Sequence, residues 1–197
     1  MLSYLNLEVY AMDKLINKKN KHRRKGLVIV NTGKGKGKTT AALGVLTRAW
    51  GRGLKVVMLQ FIKSKTGKWG EIRAAKKMGV EMIPLGAGFA FTSKDIEKDK
   101  ALAKEGWELC KKKILAPDGT YDIVILDEFT YPLHYGWLSI EEVIETLDRR
   151  PPNRHIIITG RYAPQALIDY ADLVTEMRQI KHPYQEQGIK AQPGIEF

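Results

Sequence analysis

The sequence predicts an α/β protein, a parallel sheet of about six strands with helices on both faces. Three observations lead there. Short β-rich apolar runs alternate with stretches of helical composition, the pattern of repeated βαβ units. Runs such as "LVIVN" and "DIVILDE" are apolar at successive positions, as strands buried on both faces require. Finally, 197 residues that are 44% hydrophobic can fill one sizeable core, whereas two full domains would need a longer chain.

Taken in order, the chain starts with an apolar stripe. Leu2, Leu5, Val9, Met12 and Ile16 recur at three- and four-residue steps, which predicts a short amphipathic helix with no core of its own. It runs into "KKNKHRRKG", where six Lys or Arg lie close together and should stay solvated. Residues 1–25 are therefore expected to form an N-terminal helix and basic linker, and 26–197 a single α/β domain with an irregular C-terminal tail. The linker is either a flexible tether below a loosely docked helix or an arm that binds a partner or nucleic acid. After Gly26, "LVIVN" and "KVVMLQF" read as strands, and "TTAALGVLTRAWGRG" between them as a helix with a glycine stop. A helix over 70–78, a strand in "VEMIPL" and a long helix from Ser93 to Leu115 follow. Then come strand "YDIVILDE", helix "SIEEVIETLDRR", strand "HIIITGR", helix "APQALIDYA" and strand "LVTEMRQI". The tail "KHPYQEQGIKAQPGIEF" shows no period and is expected to be a loop covering a site.

Charge narrows the partners only partly. The net charge is +11, of which the first 26 residues contribute +5, so any polyanion is favoured electrostatically. RNA- and DNA-binding signatures are missing, and no nucleic-acid partner is expected. No apolar run is long enough to span a bilayer and no signal-peptide core opens the chain, so neither a membrane partner nor export is expected and a cytoplasmic location is. Cys110 is the one cysteine and reads as an inert helix residue. The four histidines are scattered without metal-ligand spacing.

The chemistry concentrates in "NTGKGKGKTT". The usual phosphate-binding spacing is G-x-x-x-x-G-K-[ST], and aligning Gly37, Lys38 and Thr39 with its end puts Thr32 where the opening glycine belongs. The loop is one residue short. It nonetheless leaves a strand and opens a helix, where backbone N–H groups and the helix dipole favour an anion. Lys38, expected to be exposed, would meet phosphate charge, and the Thr39 hydroxyl would bind Mg²⁺. Asp127 and Glu128 end an apolar strand at its C-terminal side and suit a hard cation. Arg161 ends the next strand at the same edge. Phe89 and Phe91, two apart in "GAGFAFTS", form either a hydrophobic wall for a planar ligand or ordinary loop packing. On these residues alone, a P-loop ATPase or kinase producing ADP, and a nucleic-acid-binding protein switched by ATP, remain open.

Taken together, the motifs resemble the P-loop type ATP:corrinoid adenosyltransferases, the cob(I)yrinic acid a,c-diamide adenosyltransferase family. The resemblance runs from "GKGKGKTTAALGVLTRAWGRGLKVVMLQFIK" through "GE" at 70 and 71, "ILDEFTY", "IIITGR" and "ADLVTEM" to "KHPY" and "GIKAQPGIEF". It implies a P-loop NTPase-like (RecA-like) fold. It implies transfer of the 5′-deoxyadenosyl group of ATP, the co-substrate, to the Co(I) of a reduced corrinoid in adenosylcobalamin biosynthesis or corrinoid salvage. Inorganic triphosphate would leave, with ATP lying reversed in the shortened loop. By the same resemblance Gly33, Lys34, Gly35, Lys36, Gly37, Lys38, Thr39 and Thr40 grip the triphosphate, while Thr39 and Glu128 hold Mg²⁺. Arg48 and Arg161 contact the nucleotide, and Phe89 and Phe91 displace the lower cobalt ligand. A flavoprotein reductant and a homodimer are also implied, the N-terminal helix crossing to cover the partner subunit's corrinoid site.

Overall fold

A computed structural model of the chain describes residues 25–64, 69–86 and 96–196. The alternation expected from the sequence is realised. The elements are β1 (Val28–Thr32), α1 (Lys38–Trp50), β2 (Val56–Ser64), α2 (Gly70–Met78), β3 (Glu81–Gly86), α3 (Ile96–Ile114), β4 (Ile123–Asp127), α4 (Thr130–His134), α5 (Ile140–Asp148), β5 (His155–Thr159), α6 (Gln165–Tyr170), β6 (Leu173–Glu176) and α7 (Pro183–Gln187). The six strands form one sheet in the order β3-β2-β4-β5-β1-β6. Every neighbouring pair is parallel.

Period-two alternation divides the strand side chains between two cores. Val28, Val30, Val57, Leu59, Val124, Leu126, Ile156 and Ile158 face Trp107, Cys110 and Ile114 of α3, Val143 and Leu147 of α5 and Leu167 of α6. Val56, Met58, Ile123, Ile125 and Ile157 face Ala42, Leu46 and Ala49 of α1. The small alanines let α1 lie close against the sheet, and Leu46 fills the space between them. Truncating such a fully buried leucine to alanine typically costs about 2–5 kcal/mol. Cys110 lies buried in the larger cluster, which pushes its thiol pKa well up by desolvation and keeps it unreactive.

Arg154, only 1% exposed, closes the end of the sheet remote from the loops. Its guanidinium donates to the carbonyls of Ile114, Ala116, Pro117 and Tyr121 at 2.7, 2.7, 3.0 and 2.9 Å. Those include the orphan acceptors at the C-terminus of α3, which a helix cannot satisfy internally.

Several elements differ from the sequence expectation. Glu128, read as part of a strand, lies beyond β4 with φ 57. The strand expected over "LVTEMRQI" stops at Glu176, on the edge of the sheet. The tail is not wholly aperiodic: α7 forms with Pro183 in its first turn and the His182 ring as its cap, Nδ1 accepting from Tyr184 N at 3.2 Å. Like α4, it is one turn long, too short for a hydrophobic period to register. The stripe from Leu2 to Ile16 lies outside the described residues. Among the described residues no helix is long and apolar enough to cross a membrane.

Candidate active site

The C-terminal ends of β1, β5, β4 and β2 stand side by side and carry nearly all the chemistry-bearing residues. The loop after β1 turns on two glycines with positive φ, Gly33 at 96° and Gly37 at 108°. It is stitched to the chain leaving β6, with Met177 N donating to Thr32 O at 2.8 Å and Gly35 N to Met177 O at 2.7 Å. A Cβ at Gly33 would lie 2.6 Å from Met177 O, and one at Gly35 2.7 Å from the same oxygen. Glycine is therefore needed here because another backbone passes against the loop. At the start of α1, Gly37 offers no side-chain cap and the first turn holds no acidic residue, so the orphan N–H groups meet no carboxylate from their own turn.

Lys38 corrects the expectation of an exposed lysine, being only 6% exposed. Its ammonium curls back to donate to Gly33 O at 2.9 Å and Gly35 O at 2.6 Å. Burial, the largest influence, pulls its pKa down, while Glu128 pulls it up and Arg161 and Lys36 push it down. The side chain thus braces the loop as well as charging it. Lys34, Lys36 and Thr40 are exposed on the loop and first turn. Lys36 is engaged by Glu196 of the tail at 2.5 Å.

Across the edge, the two carboxylates have separate environments. Asp127 is wholly buried and hydrogen-bonded on both oxygens: Oδ1 accepts from Thr39 Oγ1 at 2.8 Å and Thr159 Oγ1 at 2.7 Å, and Oδ2 accepts from Gln60 Nε2 at 3.2 Å. Glu128 is bonded through its backbone, N–H donating to Thr159 Oγ1 at 2.9 Å, while its side-chain Oε2 is buried without a hydrogen-bond partner. Desolvation, then the neighbouring Asp127 charge, raises the Glu128 pKa from 4.5 to about 7, against the opposing pull of Lys38, Arg161 and Lys63. The Thr39 hydroxyl and the Glu128 carboxylate, with its partnerless buried oxygen, are hard-oxygen donors that fit Mg²⁺.

Arg161 follows β5 close enough to act electrostatically on Lys38 and Glu128. Its carbonyl accepts from Thr130 Oγ1 at 2.5 Å, a contact permitted by Gly160, where a Cβ would sit 2.1 Å from that hydroxyl. Tyr162, φ 60, stacks its ring on His134 at 4.5 Å. An apolar cleft beside this edge is lined by Phe61, Leu85, Leu102, Tyr131, Pro132 and Trp137. Phe89 and Phe91 lie outside the described residues, in the segment joining β3 to α3. Arg48 is exposed in the last turn of α1, ten residues or about 15 Å along the helix from Lys38, so the structure does not bring it to the loop.

With this geometry in view, comparison with known proteins identifies the family. Residues 24–197 match the family described as ATP:corrinoid adenosyltransferase BtuR/CobO/CobP. The chain belongs to that family. A corrinoid adenosyltransferase of Escherichia coli (strain K12) is 42% identical over 175 residues, covering 88% of this chain and 86% of that one. The corrinoid adenosyltransferase CobA of Salmonella typhimurium is also 42% identical over 175 residues, with the same coverage. Among solved structures, the flagellar accessory protein FlaH of Methanocaldococcus jannaschii aligns with TM-score 0.51 at 12% identity, over 83% of this chain and 76% of that one. That likeness concerns the fold alone, and it agrees with the P-loop NTPase-like architecture.

Sequence reasoning missed two groups in this adenosyltransferase, Thr159 and Gln60. Each is the polar residue that follows an apolar one on the α1 side of the sheet: Met58 then Gln60, Ile125 then Asp127, Ile157 then Thr159, Ile29 then Asn31. Gln60 is in register with Asp127 and Asn31 with Thr159, so the four form a polar row across adjacent strands β2, β4, β5 and β1. The switch from apolar to polar at the same level of each of these strands was the available signal.

Proposed function

We propose that the chain transfers the 5′-deoxyadenosyl group of ATP to the cobalt of a reduced corrinoid at this sheet edge, the triphosphate leaving whole. The Co(I) electron pair forms a Co–C bond to C5′, and the C5′–O bond breaks with its electrons going to the triphosphate. Co(I) carries no proton, so the attack needs no general base. The protein contributes position and charge. The backbone of residues 33–40 and the α1 N-terminus receive the phosphates, with Lys38 turning its ammonium from the loop carbonyls to phosphate oxygens. Thr39 and Glu128 would hold Mg²⁺, which would neutralise charge on the departing phosphates. Asp127 acts one step removed, fixing the Thr39 hydroxyl. Arg161 would meet the nucleotide, and Phe89 and Phe91 would displace the lower cobalt ligand. A cytoplasmic homodimer served by a flavoprotein reductant is the setting the family resemblance implies.

The observation that carries this reading is the joint placement, in a chain of this family, of a phosphate loop and the partnerless Glu128 oxygen at one sheet edge. The experiment is phosphorus NMR of a reaction with Mg²⁺, ATP and chemically reduced corrinoid. Inorganic triphosphate should appear in step with a light-sensitive adenosylated corrinoid, and an ATP analogue blocked between the β- and γ-phosphates should still react. Accumulation of ADP and phosphate without adenosylated corrinoid would replace this reading with an ATPase or kinase.

A further inference from the structure

Gln60 is a buried amide with no role in the reaction as described so far. It is 0% exposed, in the middle of a strand whose preceding inward positions on the same face, Val56 and Met58, are apolar. Nothing in the packing of β2 asks for a polar residue there. Its Nε2 donates to Asp127 Oδ2 at 3.2 Å, while its Oε1 is buried without a hydrogen-bond partner. Reversing the amide would set two acceptors against each other with no proton between them, so the nitrogen must face Asp127. The orphan acceptor is therefore intrinsic to the site. Buried acceptors are nearly always supplied with a donor, from protein, water or ligand.

We infer that Gln60 is a positioning residue for the divalent cation, its amide nitrogen fixing Asp127 and its amide oxygen accepting from a water that the cation carries. The inference rests on the reading above that Thr39 and Glu128 hold such a cation. Mg²⁺ retains several waters when bound by few protein oxygens, and those waters are strong donors in need of acceptors. The polar row gives the reason for the placement. Asp127 already receives Thr39 and Thr159 on Oδ1, and Gln60 occupies Oδ2. With hydrogen bonds on both of its oxygens Asp127 orients Thr39, and direct coordination falls to Glu128, whose Oε2 has no partner. Gln60 thus divides the two adjacent carboxylates into an outer and an inner one.

The test uses Mn²⁺ in place of Mg²⁺, titrated into the full-length protein with ATP present and corrinoid absent, and followed by electron paramagnetic resonance. Gln60→Met keeps the volume and removes both polar atoms. It should weaken Mn²⁺ binding on the order of 10-fold or more, as loss of an outer-shell partner usually does. ATP binding measured without metal should change less than about twofold, because the phosphate loop is untouched. In turnover, the Mg²⁺ concentration needed for half-maximal rate should rise while KM for ATP at saturating Mg²⁺ stays near the parent value. A folded Gln60→Met protein with parental Mn²⁺ affinity would overturn the inference while leaving the transferase reading intact. Should Gln60→Met fail to fold, Gln60→Asn decides instead: it retains a polar amide but withdraws it by one methylene, so weakened Mn²⁺ binding supports the role and parental binding overturns it. A parent protein that binds no Mn²⁺ beside ATP would remove the cation from the proposed function and this inference with it.

Discussion

Glu128 ends the β4 connection with a left-handed backbone and a buried carboxyl oxygen that lacks a hydrogen-bond partner. A non-glycine residue held at φ 57 carries strain that the surroundings must sustain, and such strain gathers at functional sites. The raised pKa, about 7 against an ordinary 4.5, has a definite sign. Between these values the folded metal-free protein holds the proton more tightly than the unfolded chain, so this group's contribution to stability falls as pH rises from 4.5 to 7 and levels beyond. A cation requires the ionised form, so its binding should strengthen with pH over the same window and release a proton there. Glu128→Gln removes the titration. The metal-free variant should gain thermal stability over the parent at pH 8, lose the fall in Tm that Glu128 imposes between pH 5 and 7, and lose most divalent binding. Thermal scans and buffer-dependent calorimetry check this, and an unchanged Tm profile would show that Glu128 is not held as described.

At the scale of the element, the short phosphate loop works because β1, α1 and the chain leaving β6 were brought together. Two glycines in this neighbourhood make opposite predictions. At Gly35 a Cβ would meet Met177 O at 2.7 Å and Arg178 C at 2.8 Å, both backbone atoms that cannot swing away. Gly35→Ala should cost about 1–3 kcal/mol of stability, as overpacked sites do, and weaken ATP binding by displacing the loop. Gly44, inside α1 and exposed, leaves open space where a methyl group would stand, with nothing within 4 Å. Gly44→Ala should therefore stabilise by about 0.5–1 kcal/mol through helix entropy, with ATP affinity unchanged. Chemical denaturation and nucleotide titration of both variants check the pair. The shortened glycine spacing was legible along the chain because it is local. That the chain leaving β6 presses on it was not, since the contact depends on sheet order.

For the whole molecule, the junction at Lys25 decides where an N-terminal truncation should begin. Lys25 Nζ pairs with Asp172 at 2.6 Å, and Gly26 O accepts from Arg150 Nη2 at 3.0 Å, so these residues belong to the folded domain. Removing residues 1–24 should leave ATP affinity and Tm near the parent values while raising the corrinoid KM or lowering kcat, as expected if the stripe from Leu2 to Ile16 serves corrinoid handling. Steady-state kinetics with ATP and corrinoid varied separately would show the split. A truncated protein with full transferase activity that has lost salt-sensitive DNA or RNA binding would assign the basic arm to nucleic acid instead.

The sequence by itself determined the alternation of strands and helices, the phosphate loop and its missing residue, the paired carboxylates at a strand end, and membership of the family. The first three are written in spacing along a few neighbouring residues, which periodicity and glycine placement report directly, and the family in the run of such motifs along the chain. Only the tertiary structure decided that Lys38 is buried against its own loop, that Asp127 is engaged while Glu128 keeps an oxygen without a partner, and that Gln60 and Thr159 belong to the site. The physical reason is strand order and register. Gln60 and Asp127 are 67 residues apart in the chain, and become neighbours because β2 pairs with β4 at that position. A one-residue slip in that pairing would turn one of them to the opposite face of the sheet.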